Sequence, residues 1–430
     1  MLQYINKVYS MLFFVTLLFQ RTEKYYFLTL TLVVRVIFYN SLEGENMKNL
    51  EVIKMQSVIR EITKLRNDSP IIIDYHNSNR YCLVVQENNG SKTAYYFSTP
   101  IYNMRTRKMI DIKFHSNGDS IYSTGSNTNI TISNSVLMEN AEGFCSIELP
   151  QNCNLISSRE VHCGSMVLIP TTNGVAFKCA LRTNEKATFT IEVGQPFLNV
   201  RANDKCFALM KERFRPFVVF SCVGSVDATG NVIAPAKIEY QKLTDKRYRI
   251  AISSASPLAQ SVLFEANLYE NKLFQDTTVE SMNRSTNNAF GSVGFIGNSS
   301  AYGEQWLYSR LDYSRIPEIM DKRINKAVLH MPKFNQSKVE FSVYKVSARF
   351  CSFGSNWDNK IPGETPVSDS ASQSGYQSLD FTSLLVDGRT KTITKSEGLI
   401  LKPKIKGTGF SVIATGDSCL APQIMEINFR

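Results

Sequence analysis

Between Gln275 and Pro317 no helical period is sustained, because short segments of alternating polarity are cut every few residues by asparagine and glycine, most densely at Asn283 to Asn288. Such residues tolerate positive φ and close hairpins, and the segments between them suit half-buried strands. The C-terminal third is therefore expected to be one antiparallel β-sandwich, jelly-roll-like in form, and the chain as a whole all-β.

The remaining sequence extends that expectation upstream. At 430 residues the chain is long enough for two or three domains, each with its own core. Leu50, Ile53, Val58, Ile62 and Leu65 recur at helical spacing, and Asn67 to Pro70 stop them, which predicts a short N-terminal helix. Strands are expected at Ile71–Ile73, Tyr81–Val85, Thr93–Phe97, Met109–Phe114, Ile130–Ile132 and Phe144–Leu149. Asn88 to Gly90, Ser116 to Asp119 and Thr124 to Asn127 read as the turns between them. We place boundaries near 180 and 270, giving a helix-plus-β domain at 47–180, a second sandwich-like β unit at 181–269 and the C-terminal sandwich at 270–430.

Residues 1–46 stand apart. Met11 to Phe19 and Tyr25 to Val34 are apolar, but Arg21, Glu23, Lys24 and Arg35 break them, so neither reaches the length of a spanning helix. No small-residue cleavage site follows the first run. Leu42 to Asn46 directly precede Met47, and the codons of Glu43-Gly44-Glu45 among them are purine-rich like a ribosome-binding site. The segment is expected to be upstream DNA read in frame ahead of a start at Met47, or else a poor signal or anchor.

In their order, the landmarks of the C-terminal third resemble a named family. Gln275 to Val279 opens the series, followed by the Asn283–Asn288 turn, Phe295-Ile296-Gly297, and Tyr308-Ser309-Arg310-Leu311-Asp312 closed by Ile316-Pro317. Leu329, Val339 to Val346, Trp357 to Pro362, Leu379 to Thr382, Glu397 to Lys402 and Pro422 ahead of Ile424–Phe429 complete it. From Gln275 to the C-terminus the chain thus resembles the DNRLRE family of bacterial surface and secreted proteins, whose domain is also classed as carbohydrate-binding module family 96. Its lead-in departs from the family, with Glu265-Ala266-Asn267 where an Asp-Pro pair is usual. The resemblance implies an extracellular or cell-surface location, a polysaccharide partner rich in uronic acid, and a non-catalytic role; with no convincing signal peptide, cytoplasmic retention or non-standard export is the alternative.

Residue chemistry narrows the function further. The net charge of +10 is dispersed, and 270–430 carries 19 basic against 16 acidic residues with no Lys/Arg block, so nucleic acid is excluded as a default partner. Nine cysteines without a C-x-x-C pair read as buried thiols, although Cys145, Cys153 and Cys163 fall where they can meet across a sheet. The four histidines sit in ordinary strand or turn sequence, and no nucleophile elbow, zinc motif or phosphate loop occurs, so the chain is read as not an enzyme.

Sugar rings stack their C–H faces on aromatic rings while charged and amide groups bind hydroxyls and carboxylates, so a sheet-borne site needs exposed aromatics beside basic residues. Alternation puts Leu307, Ser309 and Leu311 on one face of their strand and Trp306, Tyr308, Arg310 and Asp312 on the other. Trp306, Tyr308, Arg310 and Lys345 are the candidate ligand-binding residues, with Lys338 and Lys402 as further partners for uronate; a solvated face with an Arg310 to Asp312 ion pair is the plainer reading. Trp357 is expected in the sandwich core. Asp276 and Asp417 are candidates for a structural calcium, with turn capping as the alternative. A structural or adhesive protein without a glycan ligand remains the second functional reading.

Overall fold

The computed structural model describes residues 58–430 apart from 68–70, 104–107, 111, 118–119, 125–127, 151–152, 182–183, 196, 198, 271–272, 338, 374, 395, 406 and 408. Leu50 and Ile53 of the expected helix, and parts of two expected turns, lie outside the described residues. The fold is all-β and antiparallel, and the α-helix among the described residues is the eight-residue Val58–Leu65 and a turn at Thr382–Leu385. Most expected strands are present, among them Cys82–Gln86, Lys92–Phe97 and Asn129–Ile132. Met109–Phe114 is not one strand: Lys108–Met109 forms a two-residue strand, and Phe114 precedes the next at His115–Asn117.

The strands build two sandwiches, one inserted in the other. In the C-terminal sandwich a single thirteen-stranded sheet folds back on itself through the eleven-residue strand Gly363–Gln373. That strand pairs with Phe341–Val346 near its start and with Tyr376–Asp380 near its end. One half contains Gly303–Leu311, flanked by Phe274–Glu280 and Leu399–Pro403. In the other half Ile324–Pro332 pairs with Ile424–Phe429, which in turn pairs with Lys92–Phe97. Apolar residues of both halves meet in one core, including Cys82, Val84, Ala94 and Tyr96 from the N-terminal hairpin and Leu307, Leu401, Met425 and Ile427 from the C-terminal third.

Between those two parts of the chain lies the inserted sandwich. Its outer sheet runs from Ala236–Lys242 across to His115–Asn117, and its inner sheet from Asn154–Ser157 to Asn199–Ala202. Ile191 and Ile250 of the outer sheet share a core with Phe177 and Phe264 of the inner one. The strand pairing thus places no division at 180, and the unit that begins near 270, after Ser261–Leu268, also takes in the N-terminal hairpin. Gly174–Ala180 and Lys186–Val193, on either side of 180, face each other across one core, and Ile72 to Phe97 belong with 273–430. The physical reason is edge pairing: Lys92–Phe97 satisfies the backbone of Ile424–Phe429, which would otherwise be a bare edge.

The inner sheet of the insert also packs on the C-terminal sandwich. Phe177 and Phe264 point into the insert's own core, whereas Ala176 and Leu263, one position away, meet Phe295, Phe334 and Val412 of the other sandwich. A strand covered on both faces loses its polar alternation, and all eight residues of Ser261–Leu268 are buried. Gly224 makes the fit possible at a bulge in Arg215–Val226: its φ is +153°, and a Cβ there would collide with Val232. Each large side chain buried here stabilises by about 1.5–3 kcal/mol, so apolar burial holds this junction before any polar bond is counted.

Nine cysteines are described. Cys153 and Cys163 form a disulfide, Cys82, Cys145, Cys179, Cys206, Cys222 and Cys419 are buried thiols, and Cys351 is exposed. No helix among the described residues is long and apolar enough to cross a membrane.

Candidate functional site

The Gly303–Leu311 strand has the expected two faces. Leu307 and Leu311 point into the core between the two halves of the sandwich, while Trp306 and Tyr308 point to its outer face. On that face Trp306 lies opposite Val279, and Tyr308 opposite Thr277 and Ile400. Neighbouring strands add Tyr344 and Lys402. The loop from Ser347 to Pro362 then folds over the face, and Phe350, Trp357 and Ile361 pack on Tyr308 and Trp306.

The result is a compact group holding both tryptophans of the chain. Their rings lie 5.0 Å apart, centroid to centroid, at 52°. Lys402 Nζ stands 4.0 Å from the Trp306 ring and 4.5 Å from Tyr344, and Lys360 Nζ stands 4.2 Å from Trp357. Ammonium groups at these distances are attracted by the ring faces. Trp306 Nε1 donates to Glu304 Oε1 at 2.7 Å, which fixes the indole in its plane. Burial pulls the Lys402 ammonium below the ordinary lysine value; Glu304 opposes that shift and the Lys360 charge adds to it. Trp306, Tyr344, Lys360 and Lys402 are each half-buried, so every one keeps part of its surface open to solvent.

Not all expected site residues join this group. Tyr308 is 1% exposed, its hydroxyl donates to the Ile361 carbonyl, and burial pushes its phenol up. It supports the loop and offers no stacking surface. Arg310 lies four residues from Trp306, ~13 Å along the strand, and donates to Gln275 Oε1. The expected Arg310 partner, Asp312, instead faces Arg315 at 3.6 Å and caps the turn at Ser314. Lys345 is exposed but alternates away from Tyr344, opposite Leu399 of the inner face, and so leaves the Trp306 side. Lys338 lies outside the described residues. Trp357 is 8% exposed, but it is buried in the outer-face cluster and not between the sheets.

Tyr344 and Lys360 were not singled out from the sequence. Alternation in Val339 to Val346 marks Tyr344 as sharing a face with Ser342, but which face depends on pairing with Leu399–Pro403. Lys360 reaches the site only because its loop doubles back.

Asp276 is buried, and its carboxylate accepts the Gly416 N–H, so strand Phe274–Glu280 holds the turn that contains Asp417. This is a capping arrangement, with a donor at the carboxylate where a cation would need oxygen ligands. Among the described residues no group of three or more His, Cys, Asp or Glu is placed to hold a metal.

One arrangement bears on catalysis. His330 Nδ1 lies 2.9 Å from Ser378 Oγ, and Nε2 lies 3.1 Å from Glu426 Oε2. A serine, histidine and carboxylate in a row is the order of a nucleophile relay. Ser378, however, sits in mid-strand paired on both sides, to His330 and to Ala371, so the local backbone N–H groups are committed to ladders. The trio satisfies a buried imidazole and supplies no oxyanion site.

Compared with known proteins, the chain matches no family model and no curated protein.

Proposed function

We propose that this chain is a non-catalytic, extracellular polysaccharide-binding protein of the DNRLRE or carbohydrate-binding module 96 type, and that it takes acidic glycan at the Trp306 face. The observation that carries this reading is the convergence of Trp306, Trp357 and Tyr344 with Lys360 and Lys402 on one side of the C-terminal sandwich. A partly open indole offers a stacking surface to a sugar ring, and two ammonium groups beside it suit a carboxylate on that sugar. The Cys153–Cys163 disulfide fits an oxidising compartment.

A specific observation favours the second reading, a structural or adhesive protein without a glycan ligand. Tyr308 and Trp357 are buried, and Lys402 already lies over the indole. In that reading the cations and rings serve only to hold the Ser347–Pro362 loop against the sheet.

Retention of the full chain on alginate and pectin at low and high salt separates the two. The binding reading expects retention that falls with added salt, and falls on Trp306→Ala and Lys402→Gln without loss of folding. Equal mobility with and without either glycan, in a folded protein, overturns it and leaves the structural reading.

A further inference from the structure

A second recognition element lies where the insert meets the C-terminal sandwich. Strand Asn199–Ala202 ends the inner sheet of the insert, and among the described residues nothing pairs with its outer side. The phase of its ladder is set by the adjoining turn, where the Asn203 N–H donates to the Cys206 carbonyl at 2.9 Å. Hydrogen-bonded and non-bonded pairs alternate along an antiparallel ladder. Asn203 and Cys206 being a bonded pair, Ala202 with Phe207 and Val200 with Leu209 are non-bonded pairs. The N–H and C=O groups of Val200 and Ala202 therefore point outward along the free edge.

That edge is not bare to bulk solvent on all sides. It borders a groove of about 410 Å³ whose other wall is the Asn-rich turn of the C-terminal sandwich, with Ser285, Thr286 and Asn287, and Phe290 at its base. Arg201, opposite Ala208, turns toward this wall. Its guanidinium lies 5.8 Å from the Phe353 ring and reaches one acceptor, the Phe353 carbonyl, at 3.4 Å. Among the described residues no carboxylate faces it, although a guanidinium is built to take one with two parallel N–H donors.

We propose that this groove binds an extended acidic peptide, which adds as a further strand to the Asn199–Ala202 edge and sets a carboxylate against Arg201. Main-chain groups spaced along a free edge recognise another main chain, and the side chains of that added strand alternate in and out of the groove. The residue beside Arg201 is the one that must be acidic, which suits a chain of net charge +10. This inference uses residues other than those of the glycan reading, although the Asn-rich turn that walls the groove is tied to the loop carrying Trp357 and Lys360, the Trp357 N–H donating to the Arg284 carbonyl.

The test is fluorescence anisotropy of the full chain with a fluorescein-labelled octapeptide of alternating valine and glutamate, set against its valine and lysine counterpart. The expected result is saturable binding of the acidic peptide alone. Arg201→Gln weakens it about tenfold, and Val200→Pro, which removes an outward N–H without touching the ladder to Leu209, abolishes it. Arg213→Gln, an exposed arginine outside the groove, leaves it unchanged. A thermal melt checks that each variant is folded, and Arg201→Gln, which alters no backbone, keeps the test decisive where Val200→Pro does not fold. No binding, binding indifferent to Arg201→Gln, or equal binding of the lysine peptide overturns the proposal. So does competition at Arg201 by oligogalacturonate in place of the peptide.

Discussion

The outer face of the C-terminal sandwich is divided between two coverings. On one part, Phe295, Val412 and Ala414 are sealed by the insert, and a buried Lys205 ammonium crosses the junction to Glu280. On the other, Trp306, Tyr344 and Lys402 are covered only by a loop and keep part of their surface. Both parts carry a cation on an aromatic ring, for Lys205 Nζ stands 3.7 Å from Tyr302 as Lys402 does 4.0 Å from Trp306. In the junction that cation is fully enclosed and paired with a carboxylate, which also accepts from Gln305 at 2.9 Å. On the Trp306 face its carboxylate neighbour is engaged with the indole, and the ammonium remains partly open. The same side-chain chemistry is thus structural where desolvated and paired, and serves recognition where half-open in the function proposed above.

The sharpest way to break this comparison is to cut the chain. A fragment of 270–430 lacks the hairpin that pairs with Ile424–Phe429 and supplies Cys82, Val84, Ala94 and Tyr96 to the core. We expect it to show no cooperative unfolding transition, whereas 58–430 shows one; a well-folded fragment would refute the nested topology. Next in size is the junction charge. Lys205→Met leaves Glu280 buried and unpaired, and should cost about 3–5 kcal/mol in denaturant unfolding, with much of that recovered in Lys205→Met combined with Glu280→Gln. A loss under about 1 kcal/mol would mean the pair is hydrated like a surface one.

The two tryptophans should then separate by role. Trp357→Ala empties a buried position and is expected to cost about 3 kcal/mol of stability. Trp306→Ala should cost clearly less in stability and act mainly on glycan retention, and equal losses in the two melts would count against the division. At the N-terminal hairpin, the hydrogen bond from Lys92, followed by those from Asn77, holds the Asp74 carboxyl down at about 2 against an ordinary 3.8. Because the folded value is depressed, its stabilisation is present above pH ~4 and lost as pH falls through about 2. Asp74→Asn should flatten the acid limb of the stability profile over that window. The smallest effect concerns thiols: in the native protein a neutral alkylating reagent should label Cys351 rapidly and the six buried thiols slowly, as intact mass will show.

How much of this was legible in the sequence depended on how many faces of a strand are covered. Arg247–Ser254, with one face in solvent, alternates exposed and buried over its first half and could be read directly. Ser261–Leu268 is buried throughout, so its sequence carries no sign of which side meets the insert's core and which the other sandwich. The two faces of Gly303–Leu311 were readable from Leu307 and Leu311, and with them the position of Trp306. Burial of Tyr308 was not, because it depends on a loop more than forty residues later, whose Ile361 carbonyl takes the phenol. Nor could any local pattern show that Lys92–Phe97 pairs with the last strand, since that contact joins residues over three hundred positions apart.

The most direct measurement is tryptophan fluorescence of Trp357→Phe in the full chain, which leaves Trp306 as the sole emitter, during titration with oligouronate at low salt. The account predicts a saturable change that disappears at high salt and with Lys402→Gln. A spectrum that stays constant across the titration, in a protein that remains folded, would contradict it.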